Sequence, residues 1–346
     1  MNKGIFSIPV HKSNTNVEVV LNEVFKQTIK ADEWGLKEAF FGEHITDKHE
    51  KIASSLMMVA SLSKVTKKIK LGSLTTNLNF FNPATAASLI SMVDNLTNGR
   101  LILGVGSGAN MSDVEAINSI DKENHSISLE SLDIIKKLLN SDDLIDISSK
   151  NFKVSTKKFG SKKLGLGYFN GLYNQRDNLE IVMPALNKNS YNVKLCAKNQ
   201  WSIVISNFCS ESIIENHIKN YLNNSPLNEK EALKKIKLSK LIFVHEDKSM
   251  AKKLVYSEDS PFMNVTDIIF NKLKTFNKHS CFGEGVENVL DAAKSIILFG
   301  DPEEVTKKIS DKYGNLSSII YITVPITGNE NFDKSLENFS RHVKLQ

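Results

Sequence analysis

Gly4-Ile5-Phe6-Ser7-Ile8-Pro9-Val10-His11 is the stretch on which the fold turns. Gly4–Ile8 is a short β-branched and aromatic run with strand character. The residues after this run separate two ways of arranging strands that alternate with helices. An open, doubly wound sheet built for a dinucleotide would place a glycine-rich turn directly after this strand, and Ile8-Pro9-Val10-His11 is not one. Seven further runs of the same kind occur at Glu38–Gly42, Ile69–Thr75, Arg100–Val105, Leu179–Pro184, Ser202–Ser206, Leu241–His245 and Ser318–Val324. Between them lie patterns of helical period. Val17, Val20, Leu21, Val24, Phe25, Thr28 and Ile29 share one face, as do Leu56, Val59, Ala60 and Ser63. Ala84–Leu96, preceded by Pro83, and Ile127–Leu139 give two more helices. Asp301-Pro302 is a cap with proline at the first helical position, and Gly314 stands where a left-handed residue would close that helix. Strands that alternate with helices pair in parallel, because each connection must cross over. Eight such units predict an α/β fold closed as a (β/α)8 TIM-like barrel.

Two stretches interrupt the alternation, residues 140–178 after the fourth strand and its helix, and residues 257–285 after the seventh. Both are long for plain connections and read as insertions in one barrel domain spanning 1–346. Leu164–Tyr173 alternates and holds an Asn170-Gly171 pair, which predicts a hairpin. The 257–285 stretch is rich in Ser, Asn and Lys, contains Gly283 and Gly285, and predicts a mobile flap.

Composition sets the outer limits. The chain has 346 residues, 41% of them apolar, enough for a large core. Charged residues of both signs make up 24% and the mean hydropathy is −0.22, which argues against global disorder. No apolar run approaches the ~18 residues of a membrane span, and the start MNKGIFSIPVHKSN has no secretion-signal pattern. Cys196, Cys209 and Cys281 are odd in number and lack CxxC spacing, so neither a disulfide framework nor a cysteine metal site is expected, and a reducing cytoplasm fits. The net charge of +5 is mild, and Lys67-Lys68 and Lys234-Lys235 read as solvated faces, without a nucleic-acid-binding motif.

In a barrel, chemistry gathers at the C-terminal ends of the strands. The second strand ends in Glu43-His44, which places an imidazole suited to proton transfer at the mouth; a surface or helix-capping histidine is the competing reading. His49 lies five residues on, without helical ligand spacing, so no metal site is expected. The third strand runs into Leu74, Thr75 and Asn77. The fourth runs into Gly104, Gly106, Ser107 and Gly108, whose alternate glycines let backbone approach a ligand and whose amides suit an anion. After the fifth, Asn187-Lys188-Asn189-Ser190 opens a helix, a phosphate site in form, with Lys188 as a source of charge and Ser190 as either ligand or plain cap. Near the first strand, Phe6 lines the pocket or fills the core, and His11 is a further candidate.

These motifs in order resemble the bacterial luciferase-like family of flavin-dependent monooxygenases, in the style of its limonene-monooxygenase-like branch. The residues that carry the resemblance are Gly42-Glu43-His44, Thr66–Ser73, Asn82-Pro83, Asp94–Arg100, Leu103–Gly108 and Gly300–Val305. Order and spacing agree across 1–140 and more loosely from 179 to 324. The resemblance implies a barrel with insertions, usually dimeric, that binds reduced FMN (FMNH2) at its mouth. It implies that His44 assists the flavin–oxygen chemistry with Glu43 orienting it. Leu74 and Thr75 would lie against the flavin, often across a non-proline cis peptide. Gly106, Ser107 and Gly108 together with Lys188, Asn189 and Ser190 would hold its phosphate, and Phe6 with Phe80 and Phe81 would shape an apolar pocket. Departures from the pattern are Ile45 where a second histidine is usual, Ser107 where several members carry an arginine or another polar anchor, and Gln200-Trp201 where a glycine is usual. The expected reaction is oxygenation of a small, apolar organic substrate with O2, supplied with FMNH2 by a partner flavin reductase. The alternatives are a deazaflavin-dependent oxidoreductase and a non-catalytic flavin-binding or partner subunit. The small-residue run Pro83–Ser88 is either a homodimer contact or packing on its own barrel.

Overall fold

The computed structural model describes residues 1–8, 10–173 and 179–345; Pro9 and the last five positions of the 140–178 insertion lie outside the described residues. The strands in chain order are β1 (Asn2–Ser7), β2 (Glu38–Phe41), β3 (Lys70–Ser73), β4 (Thr76–Asn77), β5 (Leu101–Gly106), β6 (Asp146–Ser148), β7 (Lys153–Ser155), β8 (Glu180–Ala185), β9 (Ser202–Ile205), β10 (Ile236–Val244), β11 (Ile297–Gly300) and β12 (Ser318–Ile322). Eight of them, β1, β2, β3, β5, β8, β9, β10 and β12, pair in parallel in that order, and β10 meets both β9 and β12, so the sheet closes on itself. All eight expected strands are present. The helices are α1 (Val17–Glu33), α2 (Ser55–Leu62), α3 (Pro83–Thr97), α4 (Met111–Ala116), α5 (Asn124–Leu139), α6 (Tyr191–Asn199), α7 (Glu211–Asn224), α8 (Glu229–Leu233), α9 (Lys248–Val255), α10 (Pro261–Thr275), α11 (Val289–Ile296), α12 (Pro302–Tyr313), α13 (Glu330–Asp333) and α14 (Ser335–His342). None is long and apolar enough to cross a membrane.

The period of two along each strand sorts the core into two shells. Ile5, Ala39, Phe41, Leu71, Leu103, Ile181, Ile203 and Ile319 pack with the helices in one cluster. Phe6, Phe40, Ile102, Val182, Val204 and Ile320 form the other, inside the barrel. At the N-terminal ends of the strands the interior turns polar. Lys237 of β10 is paired with Glu38 of β2 and, at 2.9 Å, with Glu180 of β8, and the Lys237 and Glu38 side chains are only 4% and 5% exposed. Burial raises the Glu180 carboxyl, but the Lys237 charge outweighs it and holds it down at about 2. Gly4 is required beside this cluster, because a Cβ there would stand 2.7 Å from Cγ of Glu38.

Both insertions differ from expectation. The hairpin is not at Leu164–Tyr173 but upstream, β6 against β7, with Ile147 opposite Val154. The Leu164–Tyr173 segment instead makes a tight turn closed by a single Ser161–Leu166 bridge, with Gly165 and Gly167 at positive φ. It then docks on α3, where Gly171 O accepts from Ser91 and Asn95, and the Tyr173 amide donates to Asp94. Backbone anchoring to a neighbouring helix thus overrides the alternation of its side chains. Because this insertion precedes a strand, it emerges on the face of the strand N-termini. Phe169 packs on the outer core rather than over the mouth. The 257–285 stretch is mostly the helix α10, headed by a Ser260-Pro261 cap and held by Phe262, Val265, Ile269 and Phe270 on one buried face. Gly314 has φ −54°, in the right-handed region, so it does not supply the expected left-handed cap.

Replacing Lys237 by Met leaves Glu38 without a counter-charge and Glu180 with only the exposed Lys70. Urea unfolding should show a loss of about 3–5 kcal/mol, and adding Glu38→Gln and Glu180→Gln should recover part of it; an unchanged unfolding midpoint would contradict this account.

Candidate functional site

A cavity of about 630 Å³ opens at the C-terminal ends of β1, β2, β3, β5, β8 and β9. Its walls are apolar in the main, with Phe6, Leu74, Val105, Met183, Leu186 and Phe208 among them, and α10 roofs it with Ile269, Leu273 and Phe276. His44, Glu43, Thr75, Gly106, Ser107, Gly108 and Ser190 all line it. Side chains from β2 to α6 therefore meet in one space.

His44 lies just beyond β2 and is fixed through its backbone amide, which donates to Ile52 O at 2.9 Å. Its Nδ1 is 2.8 Å from Asp113 of α4, and its Nε2 lies 3.5 Å from Glu50. Asp113 is itself held by the amide of Thr46 at 2.9 Å and by the Thr46 hydroxyl. Burial alone would lower the pKa of His44. The charge of Glu50, the hydrogen bond to Asp113 and the charges of Asp113 and Asp47 outweigh it and raise the pKa above the ordinary histidine value. The ring is thus a proton holder with its Nδ1 side committed to Asp113 and its other nitrogen toward Glu50.

Glu43 does not orient His44. Its carboxylate is buried and accepts from the Ser55 amide (2.9 Å), the Ser55 hydroxyl (2.7 Å) and the Asn77 amide (2.9 Å). Burial pushes this carboxyl above the usual range, with those three donors acting against it. Glu43 therefore pins the start of α2 and the short strand β4 to the end of β2, while Asp113 orients the imidazole. That partner lies 69 residues away, and sequence reading missed it.

The Leu74–Thr75 peptide is cis. The glycines of β5 serve that neighbouring chain as much as a ligand. A Cβ on Gly104 would sit 1.9 Å from Ser73 O, and one on Gly106 would sit 2.0 Å from Thr75 Oγ1. Asn77 Oδ1 accepts from the Gly108 amide at 2.9 Å and from Thr75 Oγ1 at 3.1 Å, so the turn is tied to the end of β3. Gly108 has φ +82°, a conformation other residues rarely adopt.

Across the cavity is the N-terminus of α6. Ser190 is its cap residue, yet the Ser190 side chain makes no bond to the helix. Lys188 and Asn189 do not line the cavity; both are exposed, and Lys188 lies 3.9 Å from Glu284. The loop's own turn, with the Ser190 amide donating to Asn187 O, points them outward. Asn187, Ser190 and Asn192 face inward instead. His125 of α5, also missed from the sequence, lines this side and bonds Asn192 Oδ1 at 2.8 Å. His11 lies outside the lining and bonds Glu23 at 2.8 Å. Phe80 also lies outside it, beside Gly108, and Phe81 packs on the outer core.

The roof is latched at both rims. Lys272 of α10 bonds Asp47 at 2.5 Å and Glu50 at 2.9 Å on the β2 side. Lys278 donates to Ala109 O at 2.9 Å on the β5 side. Neither lysine stands out in the sequence, because their partners are remote along the chain.

Comparison with known proteins bears on this geometry. Residues 1–159 match the family model described as luciferase-like monooxygenase. The 4-hydroxyprotoasukamycin monooxygenase of Streptomyces nodosus subsp. asukaensis is 30% identical over 140 residues, 40% of this chain and 38% of that protein. Limonene 1,2-monooxygenase of Rhodococcus erythropolis is 27% identical over 136 residues, 39% of this chain and 35% of that protein. These alignments span little more than a third of the curated relatives' length. Among solved structures, the oxygenating constituent of the Pseudomonas putida 3,6-diketocamphane monooxygenase, in complex with FMN, superposes with a TM-score of 0.85 at 18% identity, covering 99% of this chain and 97% of that one. The coenzyme F420-dependent tetrahydromethanopterin reductase of Methanopyrus kandleri shares the fold at a TM-score of 0.67 and 16% identity, covering 99% of this chain and 98% of that one. Residues 1–159, which carry β1 to β5, His44 and the Gly106–Gly108 turn, are thus similar to the luciferase-like monooxygenase family.

Proposed function

We propose that this chain is the oxygenating component of a flavin-dependent monooxygenase that receives reduced FMN from a separate flavin reductase and, with O2, oxygenates a small apolar organic molecule. The observation that carries the reading is the convergence of His44, Gly106 and Ser190 on one cavity. The residues present fit a flavin. Phe6, Leu74, Val105 and Met183 offer apolar walls to a ring system. Gly106 lines the cavity with its backbone packed against Thr75 and Asn77, so a side chain there would displace the wall. The Ser190 hydroxyl, free of its own helix, and the start of α6 suit the phosphate. Bound there in its reduced form, FMN would supply the electrons that activate O2.

The chain's own part is positioning, water exclusion and proton control. The apolar walls and the α10 roof keep water from the reacting centre. Asp113 accepts from His44 Nδ1–H, so a protonated ring carries its second proton on Nε2, toward Glu50 and the cavity. That proton is the one available to the reacting atoms. Glu43 acts as a positioning residue through Ser55 and Asn77. The exposed Met57 of α2 and Met92 of α3 support a homodimer through this face, whereas Ala86 and Ala87 are buried on the barrel itself.

Five outcomes test this reading. His44→Ala should leave FMN binding nearly intact and lower turnover by roughly 100-fold or more. Turnover should fall as pH rises through the raised His44 value, and Asp113→Asn, which removes one stabilising anion, should move that limb to lower pH; a flat profile rejects the role. Gly106→Ala should weaken FMN by about 10-fold or more in a fluorescence titration, since its Cβ collides with Thr75. The same titration with a deazaflavin tests hydride transfer, and saturation by that compound alone would replace the proposal. Met92→Glu should convert a dimer to a monomer in light scattering; a monomeric parent protein removes the dimer.

A further inference from the structure

The acids around His44 do not act on it alone. Glu50 and Asp47 belong to the loop between β2 and α2, and their side chains are 8% and 7% exposed. Asp113 comes from α4 and is 1% exposed. Glu43, next to His44 in the chain, turns its carboxylate to Ser55 and Asn77. Three nearby anions and one imidazole would leave a strongly negative pocket. Part of that charge is met from the roof: Lys272 Nζ bridges Asp47 and Glu50, while Lys48 and Lys278 also line the cavity. The same Glu50 offers Oε1 to Lys272 and Oε2 to His44 Nε2. The ammonium and the imidazole therefore share one carboxylate, and each weakens the other's hold on it.

We propose that Lys272 is a positioning residue that sets the proton affinity of His44 by neutralising Glu50 and Asp47, so that the imidazole releases its proton more readily when the α10 roof is docked. The physical basis is sign and proximity. An anion beside His44 favours its charged form, and a cation on that anion reduces the effect. With the roof in place, Glu50 is shared and His44 holds its proton less firmly. With the roof displaced, Glu50 and Asp47 act on His44 unopposed and the proton is retained. Linkage makes the effect reciprocal: loss of the proton from His44 strengthens Glu50 as a partner for Lys272 and so favours docking of the roof. The roof is a unit suited to this, since its far side is anchored by Phe262 and Phe270 while Ile269, Leu273 and Phe276 face the cavity. Covering the cavity and readying the proton then become one event. The use made of that proton rests on the function proposed above; the electrostatic coupling does not.

The test is a titration of the His44 ring by NMR in the free protein, read independently of turnover. Lys272→Met should raise the His44 midpoint by about one pH unit, and Lys272→Arg should return it to near the parent value. Glu50→Gln removes the shared anion without removing the lysine, and should lower the midpoint. Circular dichroism of each variant reports its folding, and Glu50→Gln keeps the test alive if Lys272→Met does not fold. An unmoved midpoint in Lys272→Met or in Glu50→Gln overturns the coupling, as does a shift that Lys272→Arg fails to reverse. His44→Ala with full turnover would instead remove the proposed function and leave the coupling standing.

Discussion

The end of β3 lies so close to β5 that neither Gly104 nor Gly106 can carry a side chain, and the arrangement of the mouth depends on that approach. It brings Thr75 and Asn77 against the glycine turn, where Asn77 takes the Gly108 amide. The Asn77 amide in turn donates to Glu43, which also receives Ser55 at the head of α2. Glu43 and Asn77 together thus tie three consecutive βα units at the mouth. A rim assembled this way is rigid, since each member is held by at least one bond from a different strand end. Rigid rims are what a site needs when it must hold a flat ligand and a proton donor in fixed relation.

Two charge clusters bracket the barrel interior. At the base, Lys237 pairs with Glu38 and Glu180, and Lys70 also pairs with Glu180. At the mouth, Lys272 meets Asp47 and Glu50. Between them the inner shell is apolar, with Phe40, Ile102, Val182 and Ile320 among its members. The two clusters differ in what their lysines belong to. Lys237 sits on a barrel strand and cannot leave without unfolding the sheet. Lys272 sits on an inserted helix, outside the hydrogen-bonded sheet. The first cluster therefore belongs to the sheet itself and the second to the rim of the cavity.

Much of this is legible in the chain. The eight strands are visible as β-branched runs, and the closed sheet is implied by their alternation with helices. His44, Glu43 and the Gly106–Gly108 turn stand out because they come directly after strands. The errors have local causes. Asn170-Gly171 has the form of a hairpin turn, but Gly171 O is taken by Ser91 and Asn95 of α3. The 257–285 stretch has the composition of a flap, yet Ser260-Pro261 is the same cap-and-proline start that identifies the helix at Asp301-Pro302. Lys188 has the charge an anion site wants, and the turn at Asn187–Ser190 points it away.

Residue order alone specifies the elements and their succession, because periodicity and capping are written in residues a few positions apart. It also specifies which residues stand at the strand ends, since that depends on where each run stops. The partners, by contrast, are settled in three dimensions: Asp113 for His44 across 69 positions and Lys272 for Glu50 across 222. Those pairings depend on how the closed sheet and its insertions bring distant segments together, and no local pattern of residue types encodes a distance across the mouth of a barrel.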